Sequence, residues 1–195
     1  MKKMTLIVVD CQYDFVEGGS LAVAGGLQAV EQIKTLLLSG RVGRVVFTQD
    51  WHPANHCSYV AEGGPWPPHC VRGTRGARIH ADLLKAVREA NLFAEFLHKG
   101  KDQDREEYTA FSFLHEYVDH YAYEAASSRT RRPQVMAFGK QEEVVVCGIA
   151  GDVCVLNTLK SLRPMRPKVF TAGTASLDGG TALKAYMDEE KLVEV

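Results

Sequence analysis

Apolar positions along the chain fall into two alternating kinds of segment. "TLIVVD" (Thr5 to Asp10), "RVVFTQD" (Arg44 to Asp50), "FAEFLHKG" (Phe93 to Gly100), "EVVVCGIAG" (Glu143 to Gly151) and "KVFTAG" (Lys168 to Gly173) are short, nearly continuous apolar runs rich in β-branched and aromatic residues. Between them, apolar residues recur at helical spacing. In "LQAVEQIKTLLLSG", Leu27, Val30, Ile33, Leu36 and Leu37 share one face and Gly40 closes the segment. "HADLLKAVREAN" (80–91), "DVCVLNTLKSL" (152–162) and "GTALKAYMDEE" (180–190) read the same way, and "KLVEV" (191–195) reads as a final short strand. Continuous apolar strands alternating with amphipathic helices predict an α/β fold, a three-layer α-β-α arrangement around a mainly parallel central sheet. "SFLHEYVDHYAYEAASS" (112–128) is the least regular stretch and reads as a helix followed by a loose connection running to Lys140. No repeat or low-complexity linker interrupts the pattern, so residues 1–195 read as a single domain.

Composition narrows the function classes. At 46% hydrophobic residues and a formal net charge of −1, the chain can bury a sizeable core and carries no electrostatic footprint for nucleic acid. The one basic cluster, "SSRTRRPQ" (127–134), is short and rich in Ser and Pro, as an exposed loop would be. No apolar run approaches the roughly 20 residues that cross a bilayer. "MKKMTLIVVDCQ" begins like a signal peptide, but its apolar run stops at Asp10 with no small-residue cleavage site, so it reads as a buried first strand of a cytoplasmic protein. Five cysteines without CxxC spacing argue against a disulfide framework or a zinc knuckle, and leave room for one nucleophile among buried thiols.

Reactive side chains cluster at the ends of the predicted strands. In open parallel sheets, sites form beyond the carboxyl ends of the strands. Asp10 ends the first, Asp50 the second, Lys99 lies at the end of the third, and Cys154 follows the fourth. Any one of these alone reads as a cap or a buried thiol; four on one edge read as chemistry. Cys154 falls at a strand–turn–helix transition, where unpaired backbone N–H groups favour a thiolate and can hold an oxyanion. Asp10 could take the thiol proton and Lys99 stabilise the resulting charge. A separate group lies in "TQDWHPANHCSY" (48–59), where Asp50, His52 and His56 offer a carboxylate and two imidazoles on one loop.

"VDCQYDF" (9–15), "TQDWHPANHCSY", "WPPHCVRGTRGA" (66–77), "HKG" (98–100) and "GIAGDVCV" (148–155) occur in the order found in the isochorismatase-like cysteine hydrolases. The chain resembles that family over most of its length, and within it the nicotinamidase/pyrazinamidase branch. The resemblance implies that Cys154 attacks the carboxamide of nicotinamide to give a thioester, with Asp10 as proton carrier and Lys99 between them. It implies a cis peptide at Ile149–Ala150 and an oxyanion hole from the N–H groups of Ala150 and Cys154. Phe15, Trp66, Tyr108, Ile149 and Ala150 would contact the substrate ring. Asp50, His52, His56 and His69 would hold one divalent metal ion, Zn²⁺ first with Fe²⁺ or Mn²⁺ also suited, and the metal would orient the pyridine nitrogen. His80, His98, His115 and His120 lack such company and read as surface or structural residues. The implied setting is NAD salvage, with a small-molecule substrate, neither nucleic acid nor membrane as partner, and room for a homo-oligomer.

The chain also departs from the family. Gly151 stands where Thr is usual, Ala172 loosely where Asp is common, and Cys11 where an apolar β-branched residue is usual. "RPMRP" (163–167) should shorten the helix after Cys154, since proline stops a helix. Residues 112–140 replace a compact connection and would form a lid or a subunit contact. Rival readings are another family amidase acting on a carbamoyl or ureido group, an inactive metal- or ligand-binding homologue, and a thiol redox protein using Cys147 and Cys154. The four-ligand metal set, the intact Asp10, Lys99 and Cys154, and the missing CxxC argue against these in turn.

Overall fold

The computed structural model describes residues 3–126 and 134–195. Five strands, β1 (Met4–Val9), β2 (Val42–Asp50), β3 (Phe93–Lys99), β7 (Val144–Ile149) and β8 (Lys168–Ala175), form one parallel sheet in the order β3-β2-β1-β7-β8. The order reverses beside β1, so the chain winds outward in both directions from the sheet centre. That topology opens a crevice at the carboxyl edge of β1, β2 and β7.

Both faces of the sheet are covered, which is why its strands are apolar without alternation. In β1, Leu6 and Val8 join the core under α1 (Gly26–Leu38) and α2 (Ala81–Glu89), whereas Ile7 and Val9 join the opposite core under α3 (Leu156–Ser161) and α4 (Thr181–Glu190). The period of two in the strand thus feeds two cores at once. Of the α1 stripe, Val30, Ile33, Leu36 and Leu37 are buried, whereas Leu27 in the first turn is 41% exposed. The three-layer α/β architecture read from the sequence is the one observed.

Three segments differ from the sequence reading. Residues 112–126 do not form the predicted helix. Instead β4 (Phe111–Glu116), β5 (His120–Ala125) and β6 (Gln134–Gly139) make a small antiparallel sheet on the α3 side, with Tyr117 N–H donating to His120 C=O across the first turn. The reason is tertiary. Phe111, Tyr123 and Phe138, one from each strand, are buried against each other at 5.8 to 6.3 Å, Tyr123 edge to face with both phenylalanines, a packing that a single helix cannot supply. Of the basic cluster at 127–134, residues 127–133 lie outside the described residues.

After β7 the backbone makes a π-helical turn (Gly151–Val155) before α3 begins, so the predicted helix 152–162 is shorter and starts later. It stops at Ser161 ahead of Pro164, as the prolines predict. "KLVEV" gives only one parallel bridge, Glu194 against Val169, rather than a strand.

Candidate active site and metal centre

Asp10, Asp50, Lys99 and Cys154 do meet at the carboxyl edge of the sheet. Asp50 and Lys99 are register partners at the ends of β2 and β3. Asp10 follows β1, with its N–H bonded to Thr48 C=O, and the π turn carries Cys154 over from β7. Lys99 is the hub. Its Nζ lies 2.8 Å from Asp10 Oδ2 and 3.5 Å from Cys154 Sγ, and it also pairs closely with Asp50 Oδ1. All four side chains are buried.

A buried ammonium loses hydration, which favours its neutral form. Here the two carboxylates outweigh that cost and hold the Lys99 pKa well above its ordinary value. Burial pushes the Cys154 thiol far up, with Lys99 pulling the other way, so the resting residue is a thiol in need of a base. Burial likewise lifts Asp10 against the pull of Lys99, which makes it a better proton acceptor than an exposed carboxylate. Thr48 Oγ1 donates to Asp10 Oδ1 at 2.6 Å. Asp10 Oδ2 faces Lys99 Nζ, and that ion pair holds the carboxylate beside the Cys154 thiol.

Two residues that the motif reading passed over hold this frame. Gln12 brackets the Asp50 backbone: its side-chain N–H donates to Asp50 C=O at 2.8 Å, and its side-chain oxygen accepts Asp50 N–H at 2.8 Å. Asp14 accepts the N–H of Cys70 at 2.7 Å and so ties down the loop carrying His69. Both stand in "VDCQYDF", and only their long-range contacts reveal their work.

The histidines divide into two groups. Donor atoms of Asp50, His52 and His69 all lie within 4.8 Å of one another. His52 Nδ1 faces Gly100 C=O at 2.8 Å and His69 Nδ1 faces Pro67 C=O at 2.8 Å. Each carbonyl fixes Nδ1 as the protonated nitrogen and leaves Nε2 as a lone pair, the arrangement that metal-binding imidazoles use. Burial keeps His69 neutral, as coordination requires. The donor set therefore fits a divalent ion. His56 stacks on His52 at 3.9 Å between ring centroids, but its Nδ1 meets Ser58 Oγ at 2.7 Å and its Nε2 donates to Arg105 C=O at 3.0 Å. It groups with His52 and Glu106 instead.

A cavity joins the two halves. Phe15, Trp66, Tyr108, Ala150 and Cys154 line it together with Asp50, His52 and His69, while Leu21, Val23, Val153 and Leu177 complete its apolar walls. Ile149 does not line it. As the last residue of β7 it points into the core beneath α1 and is fully buried. The Ile149–Ala150 peptide is cis. At Gly151 the departure from Thr has a visible counterpart, since a Cβ there would fall 2.1 Å from Ser176 Oγ. His80, His98, His115 and His120 lie away from this cavity.

The chain as a whole is similar to known proteins. Residues 4–163 match the model of the isochorismatase domain. The nicotinamidase/pyrazinamidase of Mycobacterium tuberculosis is 34% identical over 186 residues, covering 92% of this chain and 90% of that protein. The structure of PnC1 from L. infantum in complex with nicotinate is similar with a TM-score of 0.75 and 31% identity, covering 100% of this chain and 92% of that one. The pyrazinamidase of Pyrococcus horikoshii in complex with zinc gives a TM-score of 0.72 and 25% identity over 99% of this chain and 98% of that one. The chain belongs to the isochorismatase-domain family and, within it, groups with the nicotinamidases.

Proposed function

We propose that the protein is a metal-dependent nicotinamidase, converting nicotinamide to nicotinate and ammonia and accepting pyrazinamide, through a Cys154 thioester. The observation that carries the proposal is Lys99 Nζ in contact with both Asp10 and Cys154, where Cys154 lines an aromatic-walled cavity together with Asp50, His52 and His69.

In this reading the flat pyridine ring slides between Phe15, Trp66 and Tyr108, which exclude water and hold it by ring contacts. Asp10 takes the Cys154 proton, and the sulfur adds to the carboxamide carbon. The N–H groups of Ala150 and Cys154 receive the developing oxyanion. Asp10 returns the proton to the amide nitrogen, the C–N bond breaks, and ammonia leaves a thioester on Cys154. A water molecule, deprotonated by Asp10, then adds to the thioester carbon; the C–S bond breaks, nicotinate departs and Cys154 regains its proton. Lys99 keeps the Asp10 charge balanced through both halves.

Asp50, His52 and His69, with His56 nearby, would hold the metal, Zn²⁺ first. When bound, that ion supplies a Lewis-acid contact that fixes the ring through its nitrogen. Similarity to the nicotinamidase/pyrazinamidase of Mycobacterium tuberculosis supports the substrate, and the zinc complex of the Pyrococcus protein supports a divalent ion. We also propose that residues 1–195 act as one hydrolase unit in the cytoplasm, in NAD salvage, with neither nucleic acid nor membrane as partner. Five free cysteines suit a reducing compartment.

The test is ammonia release from nicotinamide and pyrazinamide by the purified, metal-loaded protein. Wild type should be active, Cys154→Ala inactive, and a chelated sample strongly impaired and restored by metal. An inactive, properly folded and loaded wild type would sink the substrate assignment, and an active Cys154→Ala would sink the mechanism.

A further inference from the structure

A second groove, of about 480 Å³, lies beside α2 and shares no lining residue with the cavity around Cys154. Four rings line it, those of Tyr13, Trp51, Phe96 and His98, together with the side chains of Arg75 and Arg78. Trp51 and His98 are stacked at 4.4 Å between centroids and 8° between planes. Burial, with the Lys101 charge nearby, brings the His98 pKa down to about 4, so at neutral pH the stack is an uncharged aromatic surface. The arginines give the groove its charge. Among the described residues no carboxylate lines it, and neither Arg75 nor Arg78 makes an ion pair. Arg75 instead lies over the face of Tyr13, its guanidinium carbon 4.7 Å from the ring centroid.

The backbone beneath both arginines is tied down. Between them, Ala77 C=O accepts the side-chain N–H groups of Gln12 at 2.9 Å and Gln49 at 3.0 Å. Arg78 C=O accepts Tyr13 N–H at 3.1 Å, and the Tyr13 hydroxyl accepts Ala81 N–H at 3.2 Å. Flat walls beside two unpaired guanidiniums suit a flat ring that carries an anionic group. Guanidinium forks match phosphate oxygens in geometry, and two of them match the phosphate charge of about −2 better than the single charge of a carboxylate. The volume falls within the range of about 300–1,000 Å³ usual for small-ligand sites. We propose that this groove is a second ligand site that binds a free nucleoside monophosphate, the base against the Trp51–His98 stack and the phosphate on Arg75 and Arg78. Every base has a π-face, so the site accepts all four common bases. With a net charge of −1, the chain offers no basic track for a polynucleotide. The site is independent of the hydrolase reading, though it lies close to those residues. Gln49 and His98, which line the groove, are register partners one step before Asp50 and Lys99.

Isothermal titration of the purified protein with the 5′-monophosphates of adenosine, guanosine, cytidine and uridine tests the assignment. All four should bind saturably, and adenosine and inorganic phosphate should each bind at least about tenfold more weakly than the adenosine monophosphate, since each keeps only half of the contacts. The double variant Arg75→Gln, Arg78→Gln should lose at least about tenfold in affinity for the monophosphates at an unchanged melting temperature. No binding of any of the four at millimolar concentration would overturn the site. So would undiminished affinity in the double variant, or inorganic phosphate binding as tightly as the monophosphates, which would leave the rings without a role. A single-stranded pentanucleotide that bound more tightly than the monophosphates would overturn the assignment to a free nucleotide. The wild-type comparison of nucleotide, nucleoside and phosphate decides the matter even if the double variant fails to fold.

Discussion

Gly100→Ala puts the geometry of the metal centre to a stringent test. Gly100 follows Lys99 with φ +59, and a Cβ built on it would fall 2.3 Å from His52 Cε1 and 2.5 Å from Nδ1. Two costs follow. A non-glycine residue in the left-handed region costs about 1–2 kcal/mol, and forcing atoms into a filled site costs about 1–3 kcal/mol. The His52 ring has no easy retreat: it is 1% exposed, stacked on His56, edge-on to His69 at 5.0 Å, and bonded through Nδ1 to the carbonyl of Gly100 itself. Together the terms predict a loss of about 2–5 kcal/mol in urea unfolding of the apo protein. Displacing His52 from its orienting carbonyl should also weaken metal binding about 10- to 100-fold. Gly63→Ala is the matched control, because Gly63 has φ +88 and open space around its Cβ position. It should show the backbone cost without the clash and leave metal affinity untouched. If Gly100→Ala falls within about 0.5 kcal/mol of Gly63→Ala, a gap too small for a buried clash, and binds metal normally, the placement of His52 described here is wrong.

Two further outcomes follow from other parts of the molecule. The Asp178 carboxylate accepts the N–H groups of Ala182 and Gly180 at 2.8 Å each, capping α4, and these bonds hold its pKa below the usual carboxylate value. A depressed folded pKa stabilises above the unfolded value and loses that contribution as pH falls through the folded one. The urea midpoint of Asp178→Ala should therefore trail wild type at pH 7, and the gap should narrow below about pH 4; a gap independent of pH would refute the cap. Restoring the family residue with Gly151→Thr should cost about 1–3 kcal/mol, because Ser176 Oγ occupies its space and Thr174 Cγ2 stands 3.0 Å away. Adding Ser176→Ala should recover a good part of that loss, and strict additivity in the double-mutant cycle would count against the close approach.

Apolar periodicity alone was enough for the layers of the fold. Two-residue alternation in β1 supplies both cores, and the stripe of α1 covers one of them, so local pattern and global architecture agree. It was not enough for residues 112–140. There the deciding contacts are among Phe111, Tyr123 and Phe138, on strands whose burial becomes legible only once they pair.

The site divides along the same line. Strand ends announced Asp10, Asp50, Lys99 and Cys154, because a parallel sheet delivers its carboxyl ends to one edge whatever the loops do. The motifs likewise announced Phe15, Trp66, Tyr108 and His69, which line the cavity. Sequence spacing carries no information about side-chain direction at the end of a buried strand, so Ile149 turned out to point into the core. Nor could spacing show that Lys99 bridges to Asp50 as well as Asp10, that His56 faces Arg105, or that Glu106 arrives beside the histidines. Those relations join residues some fifty positions apart through side-chain reach and competing hydrogen bonds. The sequence by itself determined which chemical groups gather at the sheet edge; tertiary packing decided which of them touch, because contact distance and charge pairing are properties of the folded chain and not of residue order.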